Sequence, residues 1–482
     1  VRTFELLLIA LLALRVAAIL LRGESGMVWR LLSAIGVGGA LVAHLAWEGS
    51  RWTLAPSYAL AVAFVLLLAW ERPHPKAVML RMGRNRRLRR PVPWWRALLV
   101  ALLWLPTVAV AWLLPLWALP APTGPWAVGS LSFALPLTDV PGAEGGGRRT
   151  MARVWYPVDP GLGLPHDAPW VERADRLLPA IAASGGLPPF VFGHLRLVRT
   201  HAAWAAPLAA PPDGRGWPVA TFDHGLGGFR SQNTFLAEEL ASHGAVVVAI
   251  DHPGDALATT LPDGTTLPYV GLPESTEPGY VAAVVALGAR WAADTLTLLR
   301  TLDELAPVGD LAPFAGALDL ERVWATGHST GGSAAVEVCH AWPGCRGALA
   351  LDPWWAPVDP ARLAAGSERP LLVVTSDPAL GYFAPTNADR FARFAAASVA
   401  EVAALVLVDG GHHDVNDTAS LSPVAARFGH HVGPVAKGAA MAAVRDVAVA
   451  LLAGRSPSEV AAVAAPPLRP AEPGADVGAT GP

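Results

Sequence analysis

The sequence predicts a mostly parallel α/β sheet with helices on both faces, preceded by four membrane-spanning helices. Three observations carry this. Apolar residues crowd roughly the first 120 positions. Strand and helix patterns alternate from Pro218 onward, the order of a parallel sheet with crossover helices. A G-x-S-x-G pentapeptide falls between an apolar strand pattern and a helix pattern. Of the 482 residues, 53% are hydrophobic and only 16% charged, where about a quarter is usual for a soluble protein. That balance excludes disorder throughout and a wholly water-soluble chain. A formal net charge of −3 provides no broad basic field, so nucleic acid is not an expected partner.

The apolar stretches are Phe4–Leu21, Val28–Trp47, Trp52–Trp70 and Trp95–Leu119. A bilayer core of about 30 Å calls for about 20 apolar helical residues, because backbone groups unpaired in lipid cost several kcal/mol each. No charge interrupts Trp52–Trp70 or Ala97–Leu119, whereas Arg15 lies near the middle of the first stretch and His44 near the end of the second. A buried helix of a soluble core is the other reading of any one stretch; four in succession favour spans. A cleaved signal peptide fits the first poorly, since Glu5 counters Arg2 and no small-residue cleavage site follows. Between the third and fourth stretches, Arg72, Lys76, Arg81, Arg84, Arg86, Arg87, Arg89, Arg90 and Arg96 stand against one acid, Glu71. Basic loops stay cytoplasmic, so the remainder of the chain after Leu119 is expected outside, with the lipid bilayer as a partner. Trp94, Trp95, Trp112 and Trp117 suit interfacial belts.

The expected organisation is a transmembrane region over 1–120, an α/β domain over 121–454 and a disordered Ala/Pro-rich tail over 455–482. In the α/β part, alternation and β-formers mark strands at Trp126–Leu135 and Thr150–Val158. Proline-rich loops and short helices fill 158–216. Further strands are expected at Pro218–Phe222, Ala245–Ile250, Arg322–Thr326, Gly347–Leu351, Leu371–Thr375 and Ala403–Val408. Helices are expected at Thr234–His243, Val281–Leu305, Gly332–His340, Ala388–Ala400 and Val435–Ala453.

Gly327-His328-Ser329-Thr330-Gly331 lies where a strand turns sharply into a helix. Such a turn exposes the serine Oγ, and the helix N-terminus supplies amide N–H groups for a developing oxyanion. A hydroxyl needs a base to attack near neutral pH. The loop VDGGHHDVND after the last expected strand offers His412 or His413. Asp352 and Asp377 each end a strand and could hold the imidazole in its working tautomer; spacing alone leaves both open. A second oxyanion donor is expected from His224-Gly225-Leu226-Gly227-Gly228, at the amide of Leu226 paired with that of Thr330. His412, His413, Asp414 and Asp417 have metal-like spacing, but use in a triad explains them better, and no cofactor or metal is expected. Cys339 and Cys345 are six apart and could pair outside the cytoplasm; two buried free thiols are the alternative.

At these residues the chain resembles the platelet-activating factor acetylhydrolase family, in its plasma and bacterial branch, within the α/β-hydrolase fold. The resemblance covers roughly Pro122–Leu452: PTGPWAVGSLSF, VWYPVDP, FDHGLGGFRSQNTFLAEELASHGAVVVAIDHPGD, GHSTGGS, ALALDPW and GGHHDVND. It implies Ser329 as nucleophile, Asp352 as acid with Asp377 in reserve, and His412 as base, because Asp417 follows it by five residues. It also implies Leu226 and Thr330 as oxyanion donors. The four-span region lies outside what the family shares. The implied function is a membrane-anchored serine hydrolase cleaving carboxylic esters, with short or oxidised acyl chains on phospholipid-like substrates. A general short-chain carboxylesterase or polyester hydrolase is the rival enzyme. The non-enzymatic rival is a membrane ligand-binding or sensing protein with a hydrolase-like domain, which would have no need of a complete Ser–Asp–His set. No oligomeric state is read from the sequence.

Overall fold

The computed structural model describes residues 2–22, 27–70, 94–137, 148–212, 214–306, 308–380, 382–383, 385–424 and 431–472. The chain divides into two compact units. One comprises Val1–Leu116 with Val191–Leu197, the other Trp117–Phe190 with Val198–Pro482. The division falls a few residues before the expected one, and the short segment Val191–Leu197 joins the first unit, which the sequence did not suggest. Trp52 Nε1–H donates to the Val191 carbonyl (3.1 Å), and Arg196 donates to that of Ser50 (2.8 Å).

The first unit contains helices Thr3–Arg22, Met27–Ala43, Ala55–Trp70 and Trp94–Leu113. Leu8, Leu12, Val37, Ala40, Leu41 and Ala61 pack inward, while Leu6, Leu32, Ile35, Val42, Leu66, Leu102 and Leu105 face outward. Among the described residues, two helices are long and apolar enough to cross a bilayer, Val28–Glu48 and Tyr280–Asp303. Of the four expected spans, then, only the second meets both requirements there. The third and fourth are represented by the shorter apolar helices Trp52–Leu66 and Trp104–Leu113. Tyr280–Asp303 was expected as an ordinary helix, and its inner face, with Leu287, Trp291, Leu298 and Leu299, is buried in the second unit. The basic stretch over 71–93 lies outside the described residues.

The second unit is built on a ten-stranded sheet. Its strands are β1 Ala127–Pro136, β2 Arg149–Val158, β3 Ala202–Trp204, β4 Trp217–Asp223, β5 Val246–Ile250, β8 Leu318–His328, β9 Cys345–Leu351, β10 Leu371–Ser376, β11 Val402–Leu407 and β12 Leu468–Pro470. Short strands β6 Ala258–Thr260 and β7 Thr266–Pro268 form a separate hairpin. The spatial order β12-β11-β10-β9-β8-β4-β5-β2-β1-β3 puts β8 and β4 side by side near the middle. From β5 to β11 neighbours are parallel; β2 runs antiparallel to both β1 and β5, and β12 antiparallel to β11. Runs such as Val246–Ile250 are apolar at every position because both sheet faces are covered.

Every expected strand is present within a few residues. The largest shift is β8, which begins at Leu318 rather than Arg322 because Trp217 and Pro218 of β4 pair with Leu318 and Asp319. The expected tail is corrected in part: Pro457–Ala462 is helical and β12 pairs with β11. Ser456 supplies the reason, capping that helix reciprocally with Glu459. Residues 473–482 lie outside the description. Cys339 and Cys345 are joined by a disulfide, with Cα atoms 5.2 Å apart, linking helix Thr330–Ala341 to the start of β9.

Candidate active site

The parallel strands bring four loops together at their C-terminal ends, where open α/β sheets present their clefts. β8 ends at His328 and helix Thr330–Ala341 begins two residues later, leaving Ser329 alone to turn the chain. It does so at φ 55°, ψ −118°, a left-handed backbone that a serine adopts only under constraint. The constraint is visible: Ser329 N–H donates to the Leu351 carbonyl (2.9 Å), and its own carbonyl accepts from Gly332 and Trp354. In the first turn of that helix, position 331 is held to glycine because a Cβ there would lie 2.0 Å from the Asp223 carbonyl oxygen of β4.

Asp352 follows β9, also with a left-handed backbone at φ 41°. Its Oδ2 is 2.6 Å from His412 Nδ1, and its Oδ1 accepts from the Ser376 amide (2.8 Å), the Ser376 hydroxyl (3.0 Å) and the Thr375 hydroxyl (3.1 Å). Burial pushes the Asp352 carboxyl above the ordinary carboxylate range, against the pull of these donors. His412 is buried on the loop after β11, its ring stacked on Tyr382 at 3.8 Å between centroids and edge-on to Phe383. Burial, with His431 nearby, holds its imidazole well below the usual histidine range. Because Nδ1 is engaged by Asp352, Nε2 is the nitrogen left to take a proton from a hydroxyl.

The loop is anchored from beneath by Asp417. Its carboxylate accepts from Trp170 Nε1 (2.8 Å) and from the amides of Thr234 (3.0 Å) and Phe235 (3.2 Å), at the start of helix Thr234–Ser242. The loop after β4 comes close to Ser329: a Cβ on Gly225 would lie 3.3 Å from Ser329 Cβ. Among the described residues, no acceptor takes the amide of Leu226 or of Thr330. Neighbouring Gly227 is already used, donating to the Asp255 carbonyl (2.8 Å). Two free amides beside a strained serine are what an oxyanion requires. Leu226, Leu272 and Trp354 pack together on Leu287, Trp291 and Ala334, forming an apolar wall that includes Leu226 itself.

The two reserve residues are occupied elsewhere. Asp377 accepts from the amides of Ala379 and Asp409 and so clamps one loop to the next. His413 contacts Asn416 through Nδ1 (3.1 Å) and donates its amide to His431, and burial depresses its imidazole to about 3. Asp414 accepts from the amides of Gly411 and Gly433; with Asp417 turned to the helix start, the histidine-aspartate run does not converge on one point. Sequence reasoning missed Ser376, Tyr382, Gln232 and the buried group Asp223–His252–Asp294. It also passed over His328, although that residue occupies the variable position of the pentapeptide.

The architecture, mixed α/β with a large, mostly parallel sheet and a serine at the strand–helix turn, is one that carboxylic ester hydrolases use. Residues 115–264 match the family described as platelet-activating factor acetylhydrolase, isoform II. The platelet-activating factor acetylhydrolase of Cavia porcellus is 27% identical over 297 residues, 56% of this chain and 62% of that one. That of Canis lupus familiaris is 28% identical over 211 residues, 40% of this chain and 46% of that one. The chain thus spans about half the length of these relatives. Among solved structures, the ferulic acid esterase of Streptomyces cinnamoneus is similar at a TM-score of 0.55 and 25% identity, covering 71% of this chain and 94% of that one.

Proposed function

We propose that the protein is a membrane-anchored serine hydrolase that cleaves carboxylic esters through an acyl-enzyme. The observation that carries this reading is the 2.6 Å contact between Asp352 and His412 beside the strained turn at Ser329. In the proposed reaction, Ser329 Oγ attacks the ester carbonyl as His412 Nε2 takes its proton. Asp352 keeps Nδ1 protonated and stabilises the imidazolium. The oxyanion sits on the amides of Leu226 and Thr330. The tetrahedral intermediate collapses, His412 returns the proton to the departing alkoxide oxygen, and water, deprotonated by the same imidazole, releases the acid.

The family match supports short or oxidised acyl chains on phospholipid-like esters, and the apolar wall of Leu226, Leu272 and Trp354 suits a modest acyl group. The outward apolar side chains of the first unit support insertion in a bilayer. The four-span arrangement with the α/β unit outside remains the reading of charge and hydropathy. The likeness to the Streptomyces cinnamoneus enzyme favours a second reading, a carboxylesterase of small soluble esters.

The test uses the full chain in detergent with p-nitrophenyl acetate and butyrate, then with 2-acetyl and 2-oleoyl phosphatidylcholine vesicles. Turnover that falls by roughly 10⁴-fold or more in Ser329→Ala is expected. Hydrolysis of the acetyl lipid well ahead of the oleoyl lipid supports the first substrate reading. Activity on the p-nitrophenyl esters alone supports the second. Equal turnover by Ser329→Ala and the parent protein overturns the serine mechanism.

A further inference from the structure

Two buried side chains beside the site have no part in the reaction as written: His328, between Gly327 and Ser329, and Gln232, on the segment after the oxyanion loop. Three hydrogen-bond contacts connect them to their surroundings. Gln232 Oε1 accepts from the Gly225 amide (3.3 Å), Gln232 Nε2 lies 2.7 Å from His328 Nδ1, and His328 Nε2 lies 2.8 Å from the His412 carbonyl oxygen.

The direction of each bond follows from its ends. A backbone carbonyl only accepts, so His328 carries its proton on Nε2. Burial, with His412 and His413 close by, keeps this ring neutral by holding it well below the usual histidine range. Nδ1 is therefore an acceptor, and the Gln232 amide nitrogen faces it as donor. That leaves Gln232 Oε1 toward the Gly225 N–H, which can only donate. The assignments made from the two ends agree.

The loop leaves room for this chain. A Cβ on Gly225 would lie 3.0 Å from His328 Nδ1, and one on Gly228 would lie 2.0 Å from Gln232 Oε1. The same segment grips the base loop independently of this chain: Asp417 N–H donates to the Gln232 carbonyl (3.0 Å), and the Asn233 side-chain Nδ2 donates to that of Val415 (2.6 Å).

We propose that Gln232 and His328 are positioning residues that couple the oxyanion loop, through Gly225, to the backbone of His412, so that oxyanion donors and imidazole are held in one register. This rests on the serine-hydrolase reading above. Neither side chain touches the reacting atoms; each acts by holding groups that do.

The experiment uses the full chain and p-nitrophenyl butyrate, with kcat, KM and Tm measured for Gln232→Met, His328→Leu, the double variant and His328→Gln. Gln232→Met keeps the length of the side chain but removes both of its hydrogen bonds. We expect kcat to fall about 10- to 100-fold, the scale of a small misplacement of reacting groups, with KM within about twofold. The double variant loses no more than the worse single one, because both cut the same chain. His328→Gln recovers most of the turnover lost in His328→Leu, since its amide donates to His412 and its oxygen accepts from Gln232. A Gln232→Met kcat within twofold of the parent overturns the proposal, and so do single losses that multiply in the double variant. If His328→Leu does not fold, Gln232→Met and His328→Gln decide alone: a kcat for His328→Gln as low as that of Gln232→Met counts against it. Ser329→Ala is run alongside. Inactive Ser329→Ala with an unimpaired Gln232→Met sinks the coupling alone, whereas an active Ser329→Ala sinks the serine mechanism and this inference with it.

Discussion

Oδ2 of Asp352 lies 2.6 Å from Nδ1 of His412, a contact closed between residues 60 apart in the chain. The other oxygen of Asp352 accepts three hydrogen bonds from Thr375 and Ser376, so the carboxylate cannot rotate away without stranding buried donors. Asp352→Asn presents an NH₂ where an acceptor is needed and turns the imidazole to its wrong tautomer. A loss of about 10³- to 10⁴-fold in kcat/KM is expected. Asp377→Asn, which alters a loop clamp, is expected to cost less than about tenfold. Comparable losses in the two variants, measured on p-nitrophenyl butyrate, would remove Asp352 from its role.

The acid side of the pH profile tests the state of the base. As the proposed base, His412 would work only when neutral, and burial with His431 nearby holds it below the ordinary value of about 6.5. As pH falls, kcat/KM is therefore expected to persist past 6.5 and decline only at lower pH. A midpoint at or above 6.5 contradicts this environment.

His252 is expected to leave its mark on stability. Burial by itself lowers its basicity, but Asp223 (3.1 Å) and Asp294 (3.2 Å) on either side raise it to about 9. The folded protein thus binds this proton more tightly than the unfolded chain does. The contribution, about 3 kcal/mol by linkage, is complete below pH 6.5 and is lost as pH rises through about 9. Melting the full chain at pH 6 and pH 9.5 should show a drop in Tm that is much smaller in His252→Gln. Equal drops would mean that His252 is not the group responsible.

Asp417 joins stability to turnover. Its removal in Asp417→Ala leaves the indole of Trp170 and the amides of Thr234 and Phe235 without their acceptor. Each stranded buried donor costs about 1–3 kcal/mol, so a clearly lowered Tm is expected. Since the same bonds anchor the His412 loop, kcat should fall even at temperatures where the variant stays folded. A variant with lowered Tm and unchanged kcat would show that the loop holds its shape without this anchor.

The sheet was legible because its strands are written as apolar runs between turn residues, and Val246–Ile250 or Leu371–Ser376 admit few other readings. Strands β3, β6, β7 and β12 were not, being three residues each; β3 and β12 are also held by partners far away in the chain. Chain order and spacing point to Ser329 but leave Asp352 or Asp377, and His412 or His413, open; the family resemblance favours Asp352 and His412, the two side chains that the structure brings within 2.6 Å. Gln232 could not be named in advance. Its meaning depends on meeting His328, 96 residues away, and a glutamine near a helix start has no signature of its own.

The close approach of Gly331 to the Asp223 carbonyl has a bearing on how new substrates could be accommodated. With no room for even one methyl group between them, the floor of the cleft behaves as a single rigid casting. Variation in what is hydrolysed must come from its walls, above all the segment 253–280 that carries Leu272, and a library aimed at altered selectivity belongs there.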